Sequence, residues 1–512
     1  MRFPTLLGLL AGLALSAVER PNIIVILADD LGFGDVSANN PQSKIPTPNL
    51  DRLAAEGMRF TDAHTSSGVC TPSRYSLLTG RYHWRTSLQK GVLGGFSAPL
   101  IARDRVTVAG FLKQQGYATA CFGKWHLGMS FPLKTGGMAD DKGVDDGPRV
   151  KSGQEVNYAA DISDGPLDHG FDQFYGISAS LDMPPFVWIK DRRTTELPTA
   201  TKTWLRTGPA GPKFEAVDVL PGVIAHTIAY LTAAAATPAQ PFFAYVPLNA
   251  PHTPIVPTNE FKGSSGLNAY ADFVRQVDAD VGRLLAKLDQ LGLREKTLIV
   301  FTSDNGCSPA AKIDELQAKG HEPSYIYRGH KADLFEGGHR VPFIVRWPGQ
   351  VKAGTVNPQL VGQLDFMATF ADMVAAAVPA GAGEDSVSFL PTLLGQPGSG
   401  RQTIVSQSIN GSFAVREGTW KLALCAGSGG WSVPKPGSKE EKGLPEMQLY
   451  NLATDPGEKT NLVAQHPARV AAMKAALEQV IARGRSTAGP DLKNDVPVVL
   501  IKKGATQKLQ DK

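Results

Sequence analysis

Two nearly unbroken apolar runs constrain the fold of this chain more than any other feature. Residues 22–28 read NIIVILA and residues 297–303 read TLIVFTS, and both runs are rich in β-branched side chains. A strand that is apolar at successive positions, rather than at alternate ones, is covered on both faces, as in a parallel sheet between helices. Each run therefore predicts a central strand of an α/β fold.

Helical patterns lie between and beside these runs. Residues 107–116 begin with Thr and end with Gly, which are common signals for the start and the stop of a helix. Residues 268–291 place Val and Leu at helical spacing, and residues 117–126 have the pattern of another strand. This alternation predicts a large, mostly parallel sheet sandwiched by helices.

The pattern changes after about residue 385. Short strand-like segments follow, joined by turns such as Asn410-Gly411, and residues 467–484 have the pattern of a closing helix. These features predict a smaller C-terminal α+β domain that contains an antiparallel sheet. We therefore expect a main α/β domain at residues 18–385 and the smaller domain at residues 386–512.

The N-terminus has the form of a secretory signal peptide. Arg2 precedes an apolar run at residues 6–18, which contains small side chains near its end. We expect residues 1–17 to be removed on export and the protein to be secreted or periplasmic. The run is short for a bilayer span and no later stretch of about 18 apolar residues follows, so we expect no membrane anchor.

Composition excludes several other classes of protein. The formal net charge of +4 is small for 512 residues and no long basic block is present, so we expect no nucleic-acid partner. The four cysteines, Cys70, Cys121, Cys307 and Cys425, are too few for a disulfide framework and form no CxxC pair. We expect most of them to be buried free thiols.

Polar residues follow both central strands directly. Asp29 and Asp30 come after the first apolar run, and Asp304 and Asn305 come after the second. Ligands of open α/β sheets bind outside the carboxyl ends of the strands, so both pairs should meet at one edge. Oxygen donors without His or Cys suit a hard divalent cation, with Ca²⁺ preferred over Mg²⁺. Two unrelated turns are the alternative, because Asp and Asn are common there.

The segment SGVCTPSRYSLLTGRY, residues 67–82, places one cysteine at the start of a short helical pattern. Thr71 is suited to the N-cap, Pro72 to the first helical position and Gly80 to the stop, which predicts a helix over residues 72–79. Cys70 would then lie at the positive end of a helix, with a lowered pKa and a reactive thiol. An inert buried thiol is the alternative.

The run Cys70-Thr71-Pro72-Ser73-Arg74, continued by YSLLTGR, resembles the defining motif of the type I sulfatases, members of the alkaline phosphatase superfamily. Further blocks resemble the family in the expected order: PNIIVILADDLG, GKWHLG, APHTP, FTSDNG, GHKADLFEGGHRVPFIVRWPG and LYNLATDPGEKTNL. They span nearly the whole chain. The resemblance implies a sulfuric ester hydrolase whose catalytic domain is the main α/β domain.

The resemblance also implies two sets of site residues. The Ca²⁺ ligands would be Asp29, Asp30, Asp304, Asn305 and the modified Cys70, and the sulfate pocket would consist of Arg74, Lys124, His126, His252 and Lys331. Three carboxylates around one dication leave a site too negative for a sulfate monoester. Several fixed cations near the metal are therefore required.

A maturation step and a two-step reaction follow from the same resemblance. A formylglycine-generating enzyme or an anaerobic sulfatase-maturating enzyme would oxidise Cys70 to formylglycine, which hydrates to a gem-diol. One hydroxyl would attack sulfur and give a covalent sulfo-enzyme intermediate, while His252 or Lys331 protonates the leaving alcohol. His126 would then take the proton of the second hydroxyl, so that the aldehyde reforms and sulfate departs.

Candidate substrate contacts lie in residues 176–197 and beside Lys331. These candidates are Asp182, Trp188, Arg192, Arg193 and His330. Carboxylate, indole and guanidinium groups offer hydroxyl recognition, a stacking face and anion binding, which a sulfated oligosaccharide or polysaccharide would need. An ordinary loop with a structural Trp is an equal alternative.

Two other functions stay open at the level of the sequence. One is a phosphate or phosphonate monoester hydrolase of the same superfamily, in which formylglycine also occurs. The other is a non-catalytic protein that binds sulfated glycans on a sulfatase scaffold. The intact Cys70, Arg74 and His126 count against a pure binder, because a binder needs no nucleophile.

Overall fold

The computed structural model describes residues 20–141, 150, 152–398 and 400–501, so the predicted signal peptide lies outside the described residues. Within these ranges the strands are β1 (Asn22–Ala28), β2 (Met58–Phe60), β3 (Ala63–His64), β4 (Ala118–Lys124), β5 (Gln173–Ile177), β6 (Ile189–Lys190), β7 (Arg193–Thr194), β8 (Ala200–Trp204), β9 (Arg206–Ala210), β10 (Phe242–Pro247), β11 (Thr297–Ser303), β12 (Phe343–Arg346), β13 (Thr355–Asn357), β14 (Val361–Gly362), β15 (Thr403–Gln407), β16 (Phe413–Glu417), β17 (Trp420–Ala423) and β18 (Gln448–Asn451). The α-helices are α1 (Pro48–Ala55), α2 (Cys70–Thr79), α3 (Val108–Gln114), α4 (Val219–Ala234), α5 (Ala269–Gln290), α6 (Ile313–Ala318), α7 (Glu336–His339), α8 (Phe366–Met373), α9 (Leu390–Leu393) and α10 (Pro467–Ala482).

A ten-stranded sheet forms the centre of the molecule, in the order β13-β2-β12-β11-β1-β10-β4-β5-β6-β7. Strand β1 pairs in parallel with both β10 and β11, so that Ile24 lies opposite Ala244 and Ile299. The pairs β10–β4 and β4–β5 are also parallel, whereas β12, β6 and β7 pair antiparallel to their neighbours. The predicted α/β fold is confirmed, and the sheet is mixed around a parallel centre.

Both faces of the sheet are covered by helices. Alternate residues of β1 enter two different cores: Ile23 and Leu27 pack with side chains from α2, α3 and α8, whereas Ile24 and Ile26 pack with side chains from α1, α4 and α5. All seven residues of β1 are buried. An apolar run without alternation is therefore explained by burial on both sides, as the sequence predicted.

One helix corrects the sequence analysis. The segment Ala216–Ala234 is long and apolar enough to cross a membrane by length and composition, although no such stretch was expected after the N-terminus. In the structure its inner face packs on the sheet, where Val223 and Leu231 are fully buried. The interrupting Asp, Pro, Gly and His residues explain why the run was not recognised.

A four-stranded antiparallel sheet in the order β15-β16-β17-β18 follows, which confirms the C-terminal prediction. The turn between β15 and β16 contains Asn410-Gly411, and Gly411 has the positive φ of 85° that such a turn requires. Helix α10 packs against this sheet through Met473 and Leu477. The division of the chain into two domains after residue 385 stays a prediction.

Helix α2 begins two residues earlier than predicted. Its N-cap is Val69, and Cys70 is its first residue. The side chain of Thr71 does not cap the helix, because its Oγ1 accepts a hydrogen bond from the Leu93 N–H at 3.2 Å. The predicted stop is correct, since Gly80 ends the helix in the left-handed region with φ 64°.

We predict that Gly80→Ala destabilises the protein more than Gly91→Ala. Both glycines have a positive φ, but a Cβ at Gly80 would lie 2.9 Å from Met367 Cβ and 2.9 Å from Gly383 Cα, whereas nothing lies within 4 Å of a Cβ at Gly91. The left-handed backbone costs alanine about 1–2 kcal/mol, and overpacking adds about 1–3 kcal/mol at Gly80 only. Urea unfolding of both variants checks this, and equal losses would contradict it.

Candidate active site

The two acidic pairs meet at the carboxyl edge of the sheet. Strands β1 and β11 are parallel neighbours and end level with each other, so the chain leaves both at the same edge. The backbone N–H of Asp304 donates to the Ala28 carbonyl at 3.0 Å, and that of Asp29 donates to the Ala250 carbonyl at 2.9 Å. The side chains of both pairs are buried at this edge.

Two oxygen atoms in this cluster have no hydrogen-bond partner within the described part of the chain: Asp29 Oδ1 and Asn305 Oδ1. The other oxygens are constrained, since Asn305 Nδ2 donates to Asp30 Oδ1 at 2.7 Å and the Asp30 N–H lies 3.3 Å from Asp304 Oδ1. A buried oxygen without a partner costs about 1–3 kcal/mol. Carboxylate and amide oxygens in this state are suitable ligands for a hard divalent cation.

Each carboxylate has a different buried cation as its nearest partner, and Arg74 also lies 3.5 Å from Asp29. Arg74 Nη2 lies 2.8 Å from Asp304 Oδ2, Lys124 Nζ donates to Asp29 Oδ2 at 2.5 Å, and Lys331 Nζ lies 2.7 Å from an oxygen of Asp30. The cations come from helix α2, from the end of β4 and from the loop before α7. Three carboxylates and three cations make the cluster formally neutral without a metal ion.

The two carboxylates at the centre titrate in opposite directions. Burial alone would raise the pKa of Asp29, but Lys124, His252 and Arg74 hold it well below the usual range. Burial and the adjacent Asp29 raise the pKa of Asp304 to about 7, against the opposing effect of Arg74. The raised pKa of Asp304 therefore reflects burial and repulsion from the ionised Asp29 beside it, and a bound cation would relieve that repulsion.

Cys70 lies among these charges but is not activated as a thiol. Its side chain is 2% exposed, and burial raises its pKa, with Lys124 and Lys331 opposing and Asp304 adding to the rise. The expectation of a lowered pKa at the helix start is therefore wrong, because desolvation outweighs the helix end. The four cysteines are free, as expected.

His126 presents an unoccupied ring nitrogen. Its Nε2 donates to the Leu93 carbonyl at 2.8 Å, and its Nδ1 is buried without a partner among the described residues. Burial, Lys124 and Arg74 lower its pKa well below the usual value, so the ring is neutral. Because Nε2 must carry the proton, Nδ1 carries a lone pair and can act as a base.

His252 is oriented by its own loop. Its Nδ1 donates to the Thr253 carbonyl at 2.7 Å, and its Nε2 lies 3.7 Å from Asp30 Oδ2. Burial and Lys331 lower its pKa. One atom from each of Asp29, Asp30 and His252 lies within 4.8 Å of the others, so this histidine borders the cluster directly.

Three of the predicted substrate contacts lie elsewhere. Trp188 stacks on Tyr175 with ring centroids 4.7 Å apart and packs against Phe214. Arg192 pairs with Asp168 and Arg193 with Asp161, near the β6–β7 edge of the large sheet. The structure does not bring these three side chains to the acidic cluster.

Of the other two predicted contacts, His330 lies beside the cluster residue Lys331, and Asp182 lies in the loop after β5. His330 precedes Lys331, and its ring Nδ1 donates to the Lys331 carbonyl at 3.0 Å. Asp182 is buried in the loop after β5, where one carboxylate oxygen pairs with Arg206 and the other, Oδ1, has no partner in the described ranges. The pairing with Arg206 was not predicted, since nothing in the sequence links two positions 24 residues apart.

The sequence analysis did not identify the residues that support the backbone of Asp30. The Tyr270 hydroxyl lies 3.0 Å from the Asp30 carbonyl and 2.5 Å from Asp35 Oδ2, and His321 Nε2 contacts Asp35 Oδ1 at 2.8 Å. Asp30 has a positive φ of 65°, so its backbone needs such support. The only available signal was a tyrosine among the apolar positions of α5.

A second buried cluster contains His64, Glu336 and His339, which have the composition of a metal site. Lys421 and Arg340 pair with Glu336 at 3.0 Å and 2.9 Å. The two histidines contact each other through their Nδ1 atoms at 3.0 Å. These contacts join strand β3 and helix α7 to Lys421 on strand β17 of the C-terminal sheet.

The fold and the site together define an enzyme of the alkaline phosphatase superfamily. Within that superfamily the chain belongs to the sulfatase family, whose family model, named Sulfatase, matches residues 21–376. It is therefore a sulfuric ester hydrolase, and the resemblance stated from the motifs is confirmed.

Individual relatives agree with this assignment. The chain is 33% identical to N-acetylgalactosamine-6-O-sulfatase of Bacteroides thetaiotaomicron, over 91% of this chain and 94% of that protein, and 34% identical to arylsulfatase A of Bos taurus, over 89% and 86%. A solved structure from work on the metabolism of multiple glycosaminoglycans by Bacteroides thetaiotaomicron matches with a TM-score of 0.77 and 32% identity, over 90% of this chain and 99% of that one. A phosphonate monoester hydrolase of Agrobacterium radiobacter shares the fold, with a TM-score of 0.56 and 20% identity, over 91% and 96%.

Proposed function

We propose that this sulfatase hydrolyses a sulfate monoester on a sulfated oligosaccharide or polysaccharide. The observation that carries the proposal is the cluster of three buried carboxylates, each matched by a buried cation, around two unpartnered oxygens. The similarity over most of both chains to a protein named N-acetylgalactosamine-6-O-sulfatase supports a sugar as the alcohol.

Ca²⁺ would be held by Asp29, Asp30, Asp304, Asn305 and residue 70. The donors from the strand ends are all oxygens, which Ca²⁺ accepts at crowded and flexible geometry, whereas Mg²⁺ demands a regular octahedron. When bound, the ion polarises the sulfate oxygens and lowers the pKa of a hydroxyl at residue 70. Because the side chains of the cluster neutralise one another, the site would be positive overall with the cation bound and would attract an anionic ester.

Residue 70 would act after oxidation of Cys70 to formylglycine by one of the two kinds of maturation enzyme. The high pKa of the buried thiol supports this, because an unmodified thiol here is a poor nucleophile. The hydrated aldehyde supplies one hydroxyl that attacks sulfur and a second that allows sulfate to leave. A thiol or an alcohol has a single heteroatom and could not do both.

The three buried cations would have different roles in the reaction. Arg74 uses Nε on Asp304 and Nη1 on the Lys124 carbonyl, so it orients the cluster and supplies charge. Lys124 and Lys331 each have three N–H groups, more than their single carboxylate partners require, and can donate to the sulfate oxygens. The raised pKa of Lys331, which burial opposes and Asp30 causes, keeps it charged at neutral pH.

Two histidines would move protons. The bare Nδ1 of His126 can accept the proton of a hydroxyl at residue 70, because its Nε2–H is fixed on the Leu93 carbonyl. His252 Nε2 faces Asp30 and, once protonated, can donate to the leaving alcohol, a role that Lys331 can share. Both assignments follow the usual requirement that the proton donor or acceptor be fixed before the reaction.

Export of the protein is part of the proposed function. The signal peptide predicted at residues 1–17 would direct the chain to the periplasm or the exterior, where sulfated polysaccharides are met. N-terminal sequencing of protein recovered from the exported fraction should begin near residue 18, and an intact Met1 in that fraction would contradict it.

We predict that the protein binds one Ca²⁺ and that Asp30→Asn weakens this binding by about tenfold or more. Loss of one charged oxygen ligand removes attraction that the amide does not replace. Calorimetric titration of chelator-treated protein measures it. Asp314→Asn, which removes an exposed carboxylate, is the matched control and should bind as the wild type does. Equal affinity in both variants would contradict the site.

We predict an aldehyde in place of the thiol at residue 70 of the active protein. Mass spectrometry of the peptide that contains residues 67–82 should show the loss of the thiol, and an aldehyde-specific reagent should label it. Cys70→Ala should fold and lose activity by about 10⁴-fold or more, as removal of a nucleophile does. Cys425→Ala, which alters another free cysteine, should retain activity. An unaltered thiol in fully active protein would overturn the mechanism.

We predict that sulfate is released from N-acetylgalactosamine 6-sulfate at least about 100 times faster than phosphate from the matching 6-phosphate. The measurement is free anion released at equal substrate concentration. Comparable rates, or faster release of phosphate, would assign the protein to the phosphomonoester side of the superfamily. Binding of sulfated sugars without any release of sulfate by matured protein would favour the non-catalytic alternative.

A further inference from the structure

A hydrogen-bonded network of three buried side chains lies behind the acidic cluster and is not used by the chemistry described above. Its members are Asp35, Tyr270 and His321. They come from three separate parts of the chain: the segment after β1, the first turn of α5 and the loop after α6. A fully satisfied buried polar network fixes one arrangement of the segments that contain it.

Tyr270 reaches the backbone of the proposed metal ligand Asp30. Its hydroxyl lies 3.0 Å from the Asp30 carbonyl oxygen and 2.5 Å from Asp35 Oδ2. Burial and Asp35 raise the pKa of Tyr270 well above its usual value, so the hydroxyl keeps the hydrogen that it donates. The start of helix α5 is itself fixed, because Asn268 caps its first turn and donates to the Ala311 carbonyl at 2.9 Å.

Asp30 depends on such a contact because its backbone is in the left-handed region. Its φ is 65°, a conformation that few non-glycine residues adopt and that persists where surrounding contacts hold it. The carbonyl of Asp30 faces Tyr270, while its carboxylate accepts from Asn305 Nδ2 at 2.7 Å and pairs with Lys331 Nζ at 2.7 Å. A rotation of this backbone would therefore move the carboxylate out of the cluster.

His321 extends the network to the loop that leads to Lys331. The Lys44 N–H donates to His321 Nδ1 at 3.2 Å, so Nε2 carries the ring hydrogen and donates it to Asp35 Oδ1 at 2.8 Å. Asp35 Oδ2 also accepts from the Gly32 N–H at 2.7 Å. Donors from three segments therefore hold this carboxylate in one orientation.

The segment after β1 and the loop after α6 approach each other closely beside this network. The Gly34 N–H donates to the Pro323 carbonyl at 2.7 Å. A Cβ at Gly32 would lie 2.3 Å from the Pro323 carbonyl oxygen, and one at Gly34 would lie 2.2 Å from the Glu322 carbonyl oxygen, so no side chain fits at either position. The turn that contains the proposed metal ligand and the loop that ends at Lys331 are therefore held at a fixed distance.

We propose that this network consists of positioning residues: it holds Asp30 as a metal ligand and brings Lys331 to it. It acts through the backbone of Asp30 and through the loop before Lys331, not by contact with the substrate. This inference rests on the proposed function, in which Asp30 binds Ca²⁺. Groups that orient the ligands of a metal change its affinity by about 10- to 100-fold, so the network should set the affinity for the cation.

Tyr270→Phe tests the contact with Asp30. The variant removes one hydroxyl and keeps the ring, and we expect Ca²⁺ binding to weaken by about 10-fold in calorimetric titration of chelator-treated protein. Tyr82→Phe is the matched control, because the Tyr82 hydroxyl is also buried and accepts from a backbone N–H, that of Val405, at 3.0 Å. Both variants should lose similar stability in urea unfolding, but only Tyr270→Phe should lose Ca²⁺ affinity.

Two rescue experiments separate a positioning role from a loss of stability. Matured Tyr270→Phe should need about 10 times more Ca²⁺ for half-maximal release of sulfate and should recover to within about threefold of the wild-type rate at saturating Ca²⁺. His321→Leu should weaken Ca²⁺ binding in the same way, and His321→Gln, whose amide can donate to Asp35, should restore most of it. The two His321 variants decide the question if Tyr270→Phe does not fold.

The outcomes distinguish this inference from the proposed function. Equal Ca²⁺ affinity in Tyr270→Phe and the wild type, or equal losses in both tyrosine variants, would overturn the positioning role while the metal site stands. Binding by His321→Gln that is as weak as that by His321→Leu would overturn the role of the hydrogen bond to Asp35. A wild-type protein that binds no Ca²⁺ would overturn the proposed metal site itself.

Discussion

The rest of the site depends on one electrostatic constraint: three buried carboxylates at the ends of two parallel strands must be neutralised. Removing one partner from a buried ion pair leaves an uncompensated charge and costs about 3–5 kcal/mol. The partners of Asp29, Asp30 and Asp304 come from β4, from the Lys331 loop and from helix α2. Three separate parts of the chain must therefore reach the sheet edge together. If a dication binds as proposed, the same three cations would leave the cluster with an excess of positive charge.

The C-terminal sheet takes part in this arrangement through the segment that follows Lys331. The Ala332 N–H donates to the Gly68 carbonyl at 2.7 Å, two residues before Cys70, and Lys421 Nζ from β17 donates to the Leu334 carbonyl at 2.6 Å. Lys421 is buried and also pairs with carboxylates. Lys421 has several buried partners that must be paired at the same time, which restricts how the small sheet can pack against the segment after Lys331. The packing of this sheet therefore helps to fix the position of Lys331. The antiparallel sheet is thus part of the support of the site, although it contributes no residue to the acidic cluster.

The sequence was sufficient for those parts of the fold and site that follow from local pattern. Burial on both faces made β1 and β11 recognisable, and the strand-end rule then placed both acidic pairs at one edge. Trp188 could not be placed in this way, because an indole that packs between Tyr175 and Phe214 has the same sequence signal as one that stacks on a sugar. The partner of Asp182 could not be predicted either, because Arg206 lies on the β8–β9 hairpin and no local pattern links the two positions. The predicted start of helix α2 was two residues too late. Thr71 is a common N-cap residue by type, but here its Oγ1 accepts a hydrogen bond from the Leu93 N–H instead of capping the helix.

Burial, and not the start of helix α2, determines the direction of the pKa shift of Cys70. A helix start lowers the pKa of a thiol only where water or fixed charge can stabilise the thiolate, and here burial dominates. Under the proposed mechanism a hydrated aldehyde at residue 70 would avoid this cost, because it is uncharged when it is buried. The side chain is 2% exposed in the folded protein, and every residue of α2 is buried with it. An enzyme that oxidises this cysteine could not reach it there, so under the proposed mechanism the modification must precede folding, and the fold then closes around a nucleophile that it could not have received afterwards.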